Sequence, residues 1–171
     1  MQAAAANAIR NTAISATAEQ YLTFQLSGQT YGVEILRVQE IKGWEKPTRL
    51  PHSPEHVQGV INLRGAVVPI LDLRRRFGLG ETEYGRTTVV IVVKVDCERG
   101  ELTAGIVVDA VCEVCNIDGA DLRPAPSIGS AIDSHFVRGL AMVGDGMLVL
   151  LDIAKLVNST LTDSATTTQA S

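Results

Sequence analysis

Cys112 and Cys115 stand three residues apart, a spacing that elsewhere holds a metal ion or runs thiol–disulfide chemistry. No second pair accompanies them. In an extended strand, residues three apart face opposite ways, so the sulfurs would meet only at a bend. Ordinary buried cysteines are the expected reading, with Cys97 a free thiol in a turn. His52 and His56 have the spacing of a helical ligand pair, but Pro51 and Pro54 break any helix there and no third ligand follows. His135 is isolated. The expectation is no metal and no cofactor. Neither a Walker pattern nor G-x-G-x-x-G occurs to cradle phosphates, and no G-x-S-x-G elbow presents a nucleophile. Gly144-Asp145-Gly146 reads as a tight turn. The run Arg74–Arg76 reads as the solvated end of a short helix, where cations meet the dipole favourably. No residue is nominated as catalytic.

Arg64 and Glu40 are different. Each interrupts an apolar setting: Val60, Ile61, Leu63, Val67 and Val68 surround Arg64 in sequence, and Val38 and Ile41 flank Glu40. A charge beside an apolar surface can fix register and exclude wrong partners while the apolar area supplies affinity. That is recognition chemistry.

The elements that must position these residues are short strands. Tyr21, Thr23 and Gln25 alternate with Leu22, Phe24 and Leu26 before Ser27-Gly28, predicting a first hairpin. A helical turn running into a strand is expected over "LRVQEIKGW", and the proline-rich "EKPTRLPHSPEH" is a loop with at most one short strand. Residues 57–63 and 66–71 form a second hairpin with Arg64-Gly65 at its tip; Pro69 places its return strand at an edge. Asp72 caps a short helix that Gly78 ends. Residues 87–95 and 102–108 make a third hairpin. A fourth, turning at Gly144-Asp145-Gly146, ends in another helix capped by Asp152. Val57, Gly59, Leu71 and Asp72 recur in order as Val137, Gly139, Leu151 and Asp152, and Gly32, Val38 and Glu40 recur as Gly105, Val111 and Glu113. Two related β units therefore share the chain. Many short strands with close turn signals point to small barrels, which remove exposed edges by closure, and two barrels side by side leave a groove.

Composition agrees. Of 171 residues only three are Phe, three Tyr and one Trp, so Val, Leu and Ile must build the core. A net charge of −4 and few stacking aromatics speak against a general nucleic-acid binder. No apolar run has the length of a membrane helix, and three cysteines do not make a secreted disulfide framework. A cytoplasmic protein is expected. Residues 1–18 and 159–171 read as flexible tails around an ordered 19–158.

The ordered stretch resembles the CheW-like domain family of bacterial chemotaxis. "YGVEILRVQEI", then N-L-R-G-x-x-x-P-x-x-D-L within "GVINLRGAVVPILDLRRRF", then "VVIVV", "GIVVDAVCEV", "RPAP" and "GLAMVGDGMLVLLDIAKL" carry the likeness. The resemblance implies a mainly β fold of two intertwined five-stranded SH3-like barrels with short capping helices around a common core. It implies no catalysis. The implied role is an adaptor joining the cytoplasmic tip of chemoreceptors to the histidine kinase CheA, associated with the membrane only through receptors at the inner-membrane arrays. Carried over by motif, the receptor face comprises Val38, Glu40, Thr48, Gly59, Arg64 and Val89, with a helical hairpin docking between the barrels and Glu40 and Arg64 meeting across the groove. Gly105, Val111 and Val114 are expected to meet the regulatory domain of CheA. The alternatives are an adaptor of another chemosensory pathway (twitching motility or development) and a small barrel that binds a ligand or nucleic acid.

Overall fold

A computed structural model describes residues 18–53, 56–80, 84–98, 100–125 and 134–160. Most of both expected tails lies outside these residues, although Ala18 already belongs to a strand and a helix spans 153–160.

Ten strands follow in order: β1 (Ala18–Leu26), β2 (Gln29–Glu34), β3 (Val38–Gly43), β4 (Val57–Leu63), β5 (Ala66–Asp72), β6 (Val89–Cys97), β7 (Gly100–Val108), β8 (Ala110–Asp118), β9 (Val137–Val143) and β10 (Gly146–Leu151). The four expected hairpins are β1–β2, β4–β5, β6–β7 and β9–β10. β8, the strand carrying Cys112 and Cys115, has no tight-turn signal of its own and joins no hairpin.

The strands form two five-stranded sheets, β8-β1-β2-β10-β9 and β3-β6-β7-β5-β4. Each takes strands from both halves of the chain, so the two repeated units are exchanged into one another. Their equivalence extends to register. β10 lies parallel to β2 with Leu150 opposite Gly32, and β5 lies parallel to β7 with Ile70 opposite Gly105. In each sheet one edge strand runs on into a segment that bridges the other edge. After β3, Thr48 pairs with Val60 of β4; after β8, Arg123 pairs with Leu140 of β9. Edge thereby meets edge, the SH3-like arrangement.

Three packed clusters explain why "VVIVV" is apolar on both faces. Ile91, Val93 and Val95 of β6 enter a central core with Leu22, Phe24 and Val33 of the other sheet. Val90 and Val92 point the other way, onto Ile61, Val68, Ile70 and Val107 inside their own barrel. The other barrel has a matching interior of Tyr21, Ala141, Leu148 and Leu150. A strand buried on both faces loses its alternation, which is why this one reads as a continuous run. Each such fully buried Val or Ile contributes on the order of 2 kcal/mol.

The caps repeat as well. The backbone N–H of Asp72 donates to the His56 carbonyl and that of Asp152 to the Phe136 carbonyl. Each carboxylate then turns a strand end into a helix: Asp72 accepts from the Arg74 N–H at 3.1 Å to open α1 (Leu73–Arg76), and Asp152 accepts from the Lys155 N–H at 3.1 Å to open α2, the helix over 153–160. These connections hold both hairpin ends against the shared core.

Candidate functional site

All six residues expected at the receptor face belong to the β3-β6-β7-β5-β4 sheet, to its β4–β5 turn or to the segment bridging it. β3 supplies Val38 and Glu40 and pairs with β6 through a register shift between them: Val38 faces Val93, whereas Glu40 faces Val92. This bulge bends the edge strand. Val38 is half-buried and packs on the central core. Val89 pairs with Gly43 at the far end of β3 and is likewise half-buried.

Arg64 occupies the tip of the β4–β5 hairpin with φ of +54°, followed by Gly65 at +90°. Two successive positive φ angles are the pattern of a type I′ turn, whose twist suits a hairpin. Asn62 Oδ1 accepts from the Gly65 N–H at 2.8 Å and closes the tip. An arginine held in the left-handed region carries strain that an Asn or Gly would avoid. Its side chain is 80% exposed, and Nη2 lies 2.9 Å from Glu40 Oε2. The expected meeting of Glu40 and Arg64 therefore occurs, but both residues belong to one sheet. The pair joins β3 to the tip of the opposite-edge hairpin of a single barrel and does not span two barrels.

Thr48 is exposed, and its N–H and C=O exchange hydrogen bonds of 2.9 Å with Val60. Gly59 is the reason that segment can lie so close. Its φ is +139°, and a Cβ built on it would stand 2.2 Å from the Thr48 carbonyl oxygen. Gly59 is buried and offers no surface of its own; it positions Thr48. On the return strand of the same hairpin Val67 is 72% exposed, and Ile41, on the face of β3 opposite to Glu40, is also exposed. Val67 was missed, although its signal was available. In β5 the alternation buries Val68 and Ile70, which leaves Val67 as an apolar residue on the outward side.

Of the residues expected to meet the kinase, Val111 and Val114 share β8, on the other sheet, and Val114 is exposed. Gly105 does not join them. It is buried in β7, where a Cβ would meet Ile70 Cδ1 and Val90 Cγ1 at 2.7 Å each. Its small size permits close packing inside the second barrel.

Two chemical expectations change. Cys112 is exposed and so is no core cysteine, whereas Cys115 is half-buried against the cluster of Tyr21, Leu148 and Leu150; both are free thiols, as is Cys97, which ends β6. β8 also carries a register shift against β1, between Leu22 opposite Val114 and Phe24 opposite Val111. That bend turns Cys112 and Cys115 into the same cleft of about 210 Å³, with Glu113, Val143 and Met147. The buried Thr23 hydroxyl secures the bulge, donating to the Glu113 carbonyl at 2.8 Å and accepting from its N–H at 3.1 Å. Burial first, then the Glu113 carboxylate, raises the Cys115 thiol above its ordinary range, so it stays protonated at neutral pH. Arg74–Arg76 are not a solvated face either. Arg74 Nε donates to Ser27 Oγ at 3.1 Å and sits 3.5 Å from Asp109, and Arg76 lies 4.8 Å over the Phe136 ring. They clamp α1 to turns of the other sheet.

No helix among the described residues is long and apolar enough to cross a membrane. A family model for the CheW-like domain matches residues 20–161. The chain is 40% identical over 141 residues to a chemotaxis protein CheW of Klebsiella aerogenes, covering 82% of each chain. It is 32% identical over 143 residues to protein FrzA of Myxococcus xanthus, covering 82% of this chain and 86% of that one. The crystal structure of the scaffolding protein TtCheW from Thermoanaerobacter tengcongensis superposes with a TM-score of 0.73 at 34% identity, covering 81% of this chain and 86% of the other.

Proposed function

This chain belongs to the CheW-like domain family, and from that membership we propose that it is a non-catalytic adaptor joining the cytoplasmic tip of chemoreceptors to the regulatory domain of the histidine kinase CheA. The observation that carries the reading is the Arg64–Glu40 pair, an exposed guanidinium anchored at 2.9 Å, with Val67 exposed on the same hairpin and Ile41 exposed on β3. An ion pair on an apolar surface gives a helix one acceptable register, while the valine and isoleucine area provides affinity. Val38, Thr48 and Val89 extend the same sheet's surface, and Gly59 keeps Thr48 in place. The opposite sheet turns Val114 outward for the kinase. The protein works in the cytoplasm and reaches the inner membrane through the receptors it binds.

Holding both partners on separate faces raises their concentration near each other. Control of the kinase requires more: the adaptor must favour one kinase state over the other, and each partner then alters the affinity for the other by the same factor.

Arg64→Glu tests the receptor face. A surface pair this exposed contributes only about 0–1 kcal/mol to the fold, so the variant stays folded by circular dichroism. It places like charges at Glu40 and the tip, and capture of a receptor signalling fragment is expected to fall at least about tenfold. Receptor capture equal to that of the unaltered chain would reject the assignment.

A further inference from the structure

The two barrels repeat each other closely enough that their differences are informative. Glu40, just past the bulge of β3, corresponds to Glu113, just past the bulge of β8. The hairpin tip Leu63-Arg64-Gly65-Ala66 corresponds to Val143-Gly144-Asp145-Gly146. In the second barrel, Glu40 receives the Arg64 guanidinium at 2.9 Å, and Lys42 stands two residues further along the same strand. In the first barrel the position of Arg64 is Gly144, that of Lys42 is Cys115, and the tip carries Asp145 instead of Gly65. Lys42 is itself paired with Glu45 at 3.4 Å, so the contrast lies in the tip: one end sets a guanidinium against its carboxylate, and the other has a glycine and an aspartate in those tip positions. Among the described residues no cation pairs with Glu113, whose side chain accepts only a long contact from Cys115 Sγ at 3.9 Å.

Glu113 lines the cleft of about 210 Å³ together with Thr30, Cys112, Val143 and Met147. Of this lining, Val143 and Met147 are exposed, giving the cleft an apolar rim. A partner that covers this rim desolvates the carboxylate. Leaving a covered carboxylate uncompensated is strongly unfavourable, and a cation from the partner compensates it most fully. Arginine suits the cleft: its methylene stem lies along Met147 and Val143 while the guanidinium forks onto the carboxylate.

We propose that Glu113 determines specificity at the kinase face by receiving an arginine of the kinase's regulatory domain, an intermolecular counterpart of the Arg64–Glu40 pair within the chain. The proposal rests on the reading of this sheet as the kinase face.

Two variants test it from opposite directions. Glu113→Gln removes the charge and keeps the shape. The double substitution Gly144→Arg with Asp145→Gly recreates the Arg64-Gly65 tip, so that the chain satisfies its own carboxylate. Titration calorimetry against the isolated regulatory domain of CheA, at low and at physiological salt, is the measurement, with a receptor signalling fragment as control. Both variants are expected to bind the kinase domain about 10- to 100-fold more weakly, the loss of one charged hydrogen-bonded contact. Their affinity should also depend less on salt, while receptor binding is unchanged. If the unaltered chain does not bind the kinase domain, the reading of the face falls and the proposal with it. If the unaltered chain binds and both variants stay within about twofold of it, the proposal alone is overturned. If the variants lose self-association and keep kinase binding, the partner is a second copy and the kinase assignment of Glu113 is wrong.

Discussion

Replacing Gly59 with alanine asks whether this glycine positions the Thr48 segment or merely lies under it. The new Cβ would stand 2.2 Å from the Thr48 carbonyl oxygen and 2.7 Å from its carbon. Both atoms are backbone and cannot rotate aside, so the Thr48 segment must lift from β4. Two hydrogen bonds of 2.9 Å between Thr48 and Val60 are then lost, at about 1 kcal/mol each. Holding a non-glycine residue at φ of +139° adds about 1–3 kcal/mol. The expected loss is therefore about 3–5 kcal/mol, or about 6–20 °C in melting temperature for a chain of this size. Gly139 is the internal control. It fills the equivalent place beside Arg123, but its Cβ would stand 3.2 Å from the carbonyl oxygen and its φ is not in the left-handed region, so alanine there should cost about 1 kcal/mol. Urea unfolding followed by fluorescence of Trp44 measures both, since Trp44 is the single tryptophan and stacks on Tyr84 at 4.0 Å. Gly59→Ala within about 1 kcal/mol of the unaltered protein, or no cheaper a result for Gly139→Ala, would mean that Gly59 does not hold the Thr48 segment against β4.

Gly105→Ala should cost about 1–3 kcal/mol by overpacking Ile70 and Val90, yet leave the affinity of folded protein for the kinase domain unchanged; calorimetry showing weakened binding at full foldedness would return Gly105 to that face. Alkaline pH tests two carboxylate-bonded phenols, Tyr21 buried and Tyr84 more exposed. Burial first, then the neighbouring carboxylates, pushes Tyr21 and Tyr84 from 10.0 up to about 12, Tyr21 donating to Glu19 and Tyr84 to Asp72. The protonated phenols are the forms the fold favours, so their contribution is complete below pH 10 and is lost as pH rises through about 10 to about 12. Tyr84→Phe should make the fall in urea stability across that window shallower; equal slopes would contradict the assignment.

What the sequence disclosed and what it hid divide along physical lines. Turns are local, so Ser27-Gly28, Arg64-Gly65 and Gly144-Asp145 marked three of the four hairpins, and Asp72 and Asp152 marked both caps. The repeated residues identified two related units, but pairing between β1 and β8 joins residues roughly ninety positions apart, as in Thr23 with Glu113, and no local pattern encodes that exchange. It was legible only through family resemblance. Bulges were hidden for the same reason: nothing in "VCEVC" alone says that Thr23 of another strand will hold its backbone out of register, so the two cysteines were assigned opposite faces. Glu40 and Arg64 stood out because each is a charge in an apolar run. Gly105 was misplaced because a glycine has no side chain with which to declare whether it serves a surface or a close contact. The arginines of α1 were read as solvated because Ser27, Asp109 and Phe136 reach them from distant segments.

The central claim is that one molecule holds receptor and kinase at once on different sheets. Sedimentation velocity of the chain mixed with a receptor signalling fragment and the CheA regulatory domain tests it directly. A boundary containing all three components is expected, with Arg64→Glu losing only the receptor and Glu113→Gln weakening only the kinase domain. Mutually exclusive binding of the two partners, or loss of both from either substitution, would contradict it.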